Sequence, residues 1–562
     1  MPKSVWESPP TLLSVDKATE GRRLSPDFFI TRLPVELITE VVRHIESSDL
    51  ANFALTNKDC RQFARWRQFA VVKFSFDPTG LDIIWILHNE RLDRQKNHGV
   101  SSRPCIGPCI RRALIVPPDS TFLKANLSAG RFYHSKLRRI LSTPSVIPHL
   151  DAVYWDTPPT GSTLGVGLGI GSMNQMSLHH LALYGPFSDL KRSTIPECKW
   201  KLKSLLLEYS DYGNHEDTES EPVEGNLFSH TSPTLVSMTV DCGRLGRLVA
   251  AMGCKPSFPA LRDFKVIDLD PAEFPALASV LSSSRNLRHF EANSNESDWM
   301  GSDGEISEHF DLCGNLPNLE TLIWRPSWKG TQQPVPAVSF LRANPQIQTL
   351  SILVSVQSLW LENKLLPVLP HCLVYLKSLY LSWCAPSIST PALDHISALT
   401  NLEQLCLVAE DEFHSATWGW NCDYKLLFDR LRPLQKLRLL ALVRDSGDQG
   451  VLLPYPYDGA VVSSKSLRTW RQKHNRFIKE QLEINAKGFP KLEQAFIGQL
   501  DMRITREGDT VLVTKMGERH VNQMDEIWLH ELFGKWHIVD HDDIMGCYYP
   551  DLGTYEYSVP LP

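Results

Sequence analysis

A short motif of the form L-x-x-L-x-L returns at intervals along most of this 562-residue chain. Seven clear copies begin at Leu178, Leu202, Leu319, Ile347, Leu376, Leu402 and Leu437. Five weaker copies begin at Leu150, Leu235, Leu261, Leu287 and Leu492. Most copies are about 24 to 35 residues apart, a period typical of proteins built from stacked repeats.

The alternation of apolar residues within each copy predicts a short strand whose inward side chains enter a shared core. Stacking of such strands would form a parallel sheet, with helices and loops returning behind it. Stacked all-helical repeats are the alternative. They are less favoured because β-branched and aromatic residues lie within the motifs, whereas helical stretches fall between them. The longer interval after Leu437 indicates an insertion.

Residues 149–500 therefore resemble an irregular leucine-rich repeat. The resemblance implies a solenoid with a parallel sheet on its concave face and helices or loops on its convex face. The outward strand positions would form an extended binding surface, and they hold Tyr184, Glu208, Asp241, Glu291, Asn293, Arg325, Tyr380 and Ser382. Tyr and Arg are frequent at the energetic centres of interfaces, so we predict that Tyr184, Arg325 and Tyr380 contact a target protein.

A second feature precedes the repeats, in residues 33–63, LPVELITEVVRHIESSDLANFALTNKDCRQF. Leu33-Pro34 predicts an extended residue followed by a helix, because the N–H that proline lacks has no partner in a first helical turn. Apolar residues at three-to-four-residue spacing then predict an amphipathic helix: these are Leu37, Ile38, Val41 and Ile45.

Two further short helices are predicted behind the first. Ser47-Ser48-Asp49 is expected to end the first helix and cap the second, whose apolar face holds Leu50, Phe53, Ala54 and Leu55. Thr56-Asn57 is expected to cap the third, which carries Cys60, Phe63, Ala64 and Trp66. Three such helices bury little apolar surface, so the rest of the chain or a partner must cover them.

This stretch resembles the F-box, with Leu-Pro, Glu-Leu, paired hydrophobic residues, Asp-Leu and a final aromatic helix in the family's order. The family docks this surface onto a Skp-type adaptor, which links it to a cullin scaffold and a ubiquitin-conjugating enzyme. The resemblance implies adaptor contacts at Leu33, Pro34, Leu37, Ile38, Val41, Ile45, Leu50, Phe53 and Leu55. An ordinary helical hairpin that packs only within its own chain is the alternative. Taken with the repeats, the chain resembles fungal F-box proteins with leucine-rich repeats.

The predicted fold class is α/β: a three-helix F-box, then the irregular leucine-rich-repeat solenoid, then a C-terminal cap. We expect a flexible tail at residues 1–27 and the F-box at 28–75. Residues 76–148 should form a coupling segment that caps the solenoid, with two helices around a strand-like stretch. The solenoid would occupy 149–500 and the C-terminal cap 501–562. The cap begins with an alternating stretch that predicts a β-hairpin.

Composition limits the kind of partner. A formal charge of −6 predicts no general affinity for nucleic acid or for an anionic membrane. The N-terminus lacks the apolar core of a signal peptide, and no apolar run is long enough to predict a membrane span. Twelve scattered cysteines indicate reduced thiols, and hence a cytoplasmic or nuclear location.

No motif in the chain predicts catalysis, a metal or a cofactor. The glycine-rich stretch 161–172 lacks the placement of a dinucleotide-binding loop, and we interpret it as a loop between repeats. His530, His537 and the acidic residues 540–543 lack the cysteine pairs of a closed zinc site. Cys105 and Cys109 likewise lack a second pair. We therefore expect a non-catalytic protein without cofactors.

These features predict the substrate-recognition subunit of a Skp–cullin–F-box ubiquitin ligase, which binds the adaptor through the F-box and an unknown protein target through the repeats. Two alternatives stay open. One is a scaffold that uses the adaptor without cullin for a non-degradative assembly. The other is a leucine-rich interaction protein unrelated to ubiquitin.

Overall fold

The structure is a computed structural model that describes most of the chain between residues 29 and 515. Besides Lys17, Ser101 and Met173, the described ranges are 29–46, 48–75, 77–98, 105–116, 127–156, 177–184, 200–208, 230–241, 245–252, 257–267, 273–294, 314–326, 338–352, 361–383, 388–409, 423–443, 464–498, 500–508 and 510–515. The chain divides into two compact units. The first is Lys3–Ile267 with Pro275–Ser284, and the second is Arg285–Pro562 with Asp268–Phe274 and Met1–Pro2.

Three helices form at the predicted places in the first unit. They are α1 (Val35–His44), α2 (Leu50–Thr56) and α3 (Lys58–Gln68), preceded by a 3-10 turn at Phe29–Arg32. Asn57 caps α3 as predicted, because its side chain accepts the N–H of Cys60 at 2.8 Å. The predicted capping of α2 by Asp49 is wrong. Asp49 has φ −90° and ψ −12°, not the extended conformation that directs a capping side chain, and it makes no such bond.

Seven strands follow in the first unit and pair in parallel in chain order. They are β1 (Val71–Phe74), β2 (Arg112–Ile115), β3 (Ala152–Asp156), β4 (His180–Tyr184), β5 (Ser204–Glu208), β6 (Ser237–Asp241) and β7 (Asp263–Ile267). The helices between or after them are α4 (Pro78–Lys96), α5 (Leu127–Leu141), α6 (Leu245–Ala251) and α7 (Phe274–Ser283). The two helices and the strand predicted within residues 76–148 are thus confirmed as α4, α5 and β2, whereas β1 was not predicted.

The second unit continues the same alternation of strands and helices. Its strands are β8 (His289–Ser294), β9 (Thr321–Pro326), β10 (Thr349–Ile352), β11 (Ser378–Trp383), β12 (Gln404–Ala409), β13 (Leu439–Val443), β14 (Gln494–Gly498), β15 (Leu500–Glu507) and β16 (Thr510–Lys515). Its helices are α8 (Val338–Ala343), α9 (Leu369–Cys372), α10 (Thr390–Ser397), α11 (Tyr424–Leu431) and α12 (Ser464–Asn485), with a π-helical turn at Leu361–Leu365. Strands β8 to β14 are parallel. The insertion predicted after Leu437 contains α12.

In all twelve predicted copies of the motif a strand begins two residues after the first apolar residue, and the copies share one register within each unit. In the first unit the second apolar residues of the motifs align as Val153, Leu181, Leu205, Met238 and Phe264. In the second they align as Phe290, Leu322, Leu350, Leu379, Leu405, Leu440 and Ala495. Every one of these side chains is buried. They form the cores of the two units, because alternate strand residues point to the same side of a sheet.

The hairpin predicted at the start of the C-terminal segment is confirmed by β15 and β16. The two strands are antiparallel, and Gly508 turns between them with φ +60°. That positive φ suits glycine because no Cβ is present to clash. Residues 516–562, the remainder of the predicted cap, lie outside the described residues, as does nearly all of the predicted tail at 1–27. The predicted boundaries at 28–75, 76–148 and 149–500 stay predictions. The α/β class itself is confirmed, with N-terminal helices followed by a sheet dominated by parallel pairing.

Candidate functional site

The three N-terminal helices have a core of their own. Ile38 and Val42 of α1 pack with Phe63 and Trp66 of α3 and with Cys109, and all five side chains are buried. Leu33, Phe53 and Phe69 pack around this cluster and are partly buried. Burying a large apolar side chain contributes about 1.5–3 kcal/mol, so this cluster is a substantial source of local stability.

A second apolar row of α1 faces outward. Leu37 is 52 % exposed and Val41 is 42 % exposed, and Leu55 at the end of α2 is 75 % exposed. A shallow depression on this side is lined by Leu33, Leu37, Glu40, Val41, His44 and Ile45. The helices therefore form a buried core and still expose aliphatic side chains to solvent. An exposed apolar surface of this kind is typical of one that a partner covers.

The nine predicted adaptor contacts do not all reach this surface. Pro34, Leu37, Val41 and Leu55 are exposed, and Leu33, Ile45 and Phe53 are half-buried. Ile38 and Leu50 are buried, so their interpretation as surface contacts needs correction. Ile38 lies on the α1 row that faces α3, and a side chain in that core cannot meet a partner. It supports the surface from beneath.

Arg67 of α3 holds the end of α1. Its Nη1 donates to the carbonyl oxygens of Val42, at 3.1 Å, and Ile45. These carbonyls have no partner within the helix, and a cation near a helix C-terminus is favourable to the helix dipole. The polar side chains of α1 form exposed ion pairs. Glu40 pairs with Arg43 and His44 at 2.9 Å each, and such solvated pairs contribute little to stability.

A buried polar junction attaches α3 to the following part of the first unit. Gln62 Nε2 donates to the carbonyl oxygen of Cys105 at 2.9 Å and to Cys109 Sγ at 3.4 Å. The Glu90 carboxylate of α4 accepts the N–H groups of Ile106, at 2.6 Å, and Gly107, at 3.0 Å. These bonds fix the turn at residues 105–109 against both helices. Sequence reasoning missed this junction, because its polar partners are far apart in the chain.

The environment of the junction is apolar and tight. Burial raises the pKa of Glu90, and the N–H bonds from Ile106 and Gly107 and the charge of Arg94 oppose that rise. A Cβ at Gly107 would lie 2.0 Å from the carbonyl oxygen of Val146, so only glycine fits the close approach of these two backbones. The segment at 105–109 is therefore held by hydrogen bonds with Gln62 and Glu90 and by close packing of Gly107 against the backbone of Val146.

Among the predicted target contacts, Tyr184 lies at the end of β4 and is half-buried. Its ring lies 5.2 Å from that of Tyr154 on β3, centroid to centroid, with the planes tilted by 34°. Asp156 and Glu208 are the register partners of Tyr184 on its two sides. Burial, and then the charges of Asp156 and Glu208, raise the pKa of Tyr154 to about 12. Burial also raises the pKa of Asp156.

The expected exposure of Tyr380 is wrong, because only 5 % of its surface is exposed. It lies between Ser351 and Cys406 in register, and both of these are fully buried. Burial raises the pKa of the Cys406 thiol well above its usual value, against the effect of a hydrogen bond with Tyr380. Asp241 and Glu291, also expected outside, are buried as well. The side chains of Arg325, Asn293 and Ser382 lie outside the described residues.

No group of three or more His, Cys, Asp or Glu side chains in the described part of the chain is placed to hold a metal ion. The glycine-rich stretch 161–172 and the His and Asp residues at 530–543 lie outside that part. Within it, no helix combines the length and apolar character that crossing a membrane requires.

A comparison with protein families places one known domain in the chain. Residues 30–71 match the model of the F-box domain. The match starts in the 3-10 turn before α1 and ends at the first residue of β1, so it spans all three helices and stops before the repeats. It confirms the F-box resemblance for this segment. A search of curated proteins found no match to the chain.

Proposed function

We propose that this protein is a substrate receptor of a Skp–cullin–F-box ubiquitin ligase. F-box domains bind Skp-type adaptors within such complexes, and residues 30–71 match that domain. The observation that carries the proposal is the outward row of α1 in the matched segment. Leu37 and Val41 stay exposed although the domain core is complete without them.

The second half of the proposal assigns target binding to the strands. The parallel strands follow one another in chain order with motif residues in a single register in each unit, which supports a leucine-rich-repeat-like solenoid. A protein target would lie against outward strand positions. The receptor would perform no chemistry itself. It would raise the effective concentration of a target lysine near the conjugating enzyme.

The proposal includes a cytoplasmic or nuclear location. It is supported by the cysteines that the structure describes, Cys60, Cys105, Cys109, Cys372 and Cys406, which form no disulfide with one another. Most of them are buried, and buried thiols of this kind suit a reducing compartment.

The test is a pull-down of the full chain with purified adaptor and cullin. We expect both to be retained by the wild type and lost by the double variant Leu37→Ala, Val41→Ala. Truncating two side chains at the centre of an interface should weaken adaptor binding by about 2–4 kcal/mol. The control is Ile86→Ala, Leu92→Ala, because these are aliphatic residues of α4 with similar exposure, 43 % and 38 %.

Each outcome selects one function. Retention of adaptor and cullin by the wild type and the control, with loss in the Leu37, Val41 variant, supports the receptor. Retention of adaptor without cullin supports the non-degradative scaffold. If neither protein is retained, or if the double variant binds as well as the wild type, the assigned surface is wrong.

A further inference from the structure

The C-terminal ends of strands β3 to β6 carry a row of acidic and aromatic side chains. Asp156, Tyr184 and Glu208 are register partners on three consecutive strands, and Asp241 follows on the next, one residue beyond the Leu207–Val240 pair. Tyr154 lies beside the row, two residues before Asp156 on β3 and on the same sheet face, with its ring against that of Tyr184. Neighbouring strands are about 4.8 Å apart, so the row spans roughly 14 Å.

The row has a negative potential at an aromatic surface. Burial, and then the charges of Asp156 and Glu208, raise the pKa of the Tyr154 hydroxyl, as expected for a ring with two carboxylates nearby. Partial burial weakens their solvation, and a carboxylate in such a place gains from a nearby cation. The faces of the two tyrosine rings add attraction for a cation, because the face of an aromatic ring carries the negative part of its quadrupole.

The two ends of these strands differ in their charged residues. The other end of the same sheet face holds Arg112 on β2 and His180 on β4, and its row continues through Ser204 and Ser237 to the buried Asp263 on β7. Farther along, Lys265 on β7 lies in the register row of Tyr154 and not in the acidic row. The half-buried carboxylates of these rows, Asp156 and Glu208, therefore lie where the strands end, whereas Asp263 at the other end is buried.

The corresponding face of the second unit differs. Its central row holds Glu291, Ile323, Ser351, Tyr380, Cys406, Ala441 and Phe496. All seven are buried, and Glu291 is the acidic residue among them. Asp156, Tyr184 and Glu208 are instead half-buried. The described central row of the second unit therefore offers little accessible surface, whereas the Asp156–Glu208 row of the first unit is half-buried.

We propose that the row formed by Asp156, Tyr184 and Glu208, with Tyr154 beside it, binds a lysine- or arginine-bearing segment of the target protein. This inference rests on the proposed receptor function and names its substrate class. Same-side residues of an extended peptide are about 7 Å apart, so one cationic side chain could lie over the tyrosines while the next meets Glu208. Asp241 adds to the negative electrostatic potential of the row but does not contact the bound segment, because its side chain is buried.

The experiment uses the full chain and an array of synthetic twelve-residue peptides of randomised composition. We expect bound peptides to be enriched in Lys and Arg, with binding that weakens as salt is raised. The variant Asp156→Asn, Glu208→Gln should raise the dissociation constant of the best peptide about tenfold. The control Asp82→Asn, Glu480→Gln removes the same charge at exposed positions of α4 and α12, and it should bind like the wild type.

A second pair of variants separates the ring of Tyr184 from its hydroxyl. Tyr184→Phe keeps the aromatic face and should stay within about twofold of the wild type, whereas Tyr184→Leu should lose about fivefold. Equal effects of the two substitutions would contradict the cation-binding role of the ring.

Failure of this inference and failure of the receptor function are distinguishable. The inference is overturned if the wild type binds no peptide, if bound peptides are acidic or apolar, or if the charge variant and its control behave alike. Adaptor pull-down on the same samples tests the receptor function separately. Loss of adaptor binding in the wild type would remove that function without altering the peptide result.

Discussion

Leu37 and Ile38 are neighbours in α1, yet one side chain is half exposed and the other is fully buried. Consecutive helical residues are 100° apart around the axis, so Leu37 and Val41 form one row and Ile38 and Val42 the next. Both rows are apolar, and the sequence pattern alone shows one wide stripe. Which row faces inward depends on where α3 places Phe63 and Trp66. For this reason the pattern predicted the helix but could not separate core from surface.

The stability of the folded protein should depend on pH through the carboxyl group of Glu90. Burial raises its pKa in the folded protein, so the folded state binds the proton more tightly than the unfolded chain. That contribution to the free energy of unfolding is fully present below the unfolded pKa of about 4.5 and is lost as pH rises through the folded value. Glu90→Gln cannot ionise. As pH rises through this range, the thermal midpoint of the wild type should therefore fall relative to that of the variant.

The control for Glu90 is Asp82→Asn, an exposed carboxylate on the same helix. Thermal unfolding of the full chain between about pH 4.5 and 7 would be followed for all three proteins. We expect the Asp82 variant to follow the wild type. A wild-type midpoint that rises relative to Glu90→Gln over this range would contradict a raised pKa at the junction.

At the scale of elements, the repeated motif predicted the strands but not the turns that precede them. All twelve copies form strands because the motif itself supplies the buried residues of each strand. A further buried position three residues before the first leucine was not recognised. Leu316, Leu373, Leu399 and Leu434 occupy it, and each accepts the N–H of that leucine in a turn. Strand β1 was also missed, because it directly follows the helical segment and carries no complete motif.

One substitution made at two places tests the assignment of core and surface. Leu405 of β12 is fully buried, whereas Leu55 at the end of α2 is 75 % exposed. Leu405→Ala should lower the free energy of unfolding by about 2–5 kcal/mol, because it leaves a cavity between β11 and β13. Leu55→Ala should change it by less than about 0.5 kcal/mol. Urea unfolding of the full chain would measure both, and similar losses would contradict the assignment.

At the scale of the whole molecule, the first unit joins its F-box segment to its strands without a flexible linker. Residues 69 and 70 connect α3 to β1 directly, and the carbonyl oxygen of Ala70 accepts the N–H groups of Arg111 and Arg112 at 2.9 and 3.0 Å. The Gln62 and Glu90 bonds fix the turn at 105–109 from the other side. Within this unit, the proposed adaptor surface and the Asp156–Glu208 row should therefore keep a fixed relation.

Weakening the junction at residues 105–109 should loosen the attachment of the F-box segment to the strands without weakening adaptor binding. Gln62→Leu leaves the buried carbonyl of Cys105 without the donor at 2.9 Å, at a cost of about 1–3 kcal/mol. Hydrogen–deuterium exchange at residues 105–110 should accelerate as this turn opens more often. Adaptor affinity should stay within about twofold, because Leu37 and Val41 face away from the junction. Gln68→Leu on the same helix, at an exposed position, should alter neither measurement. A tenfold loss of adaptor affinity in Gln62→Leu would instead mean that the junction shapes the adaptor surface, and the two functions would then share one structural element.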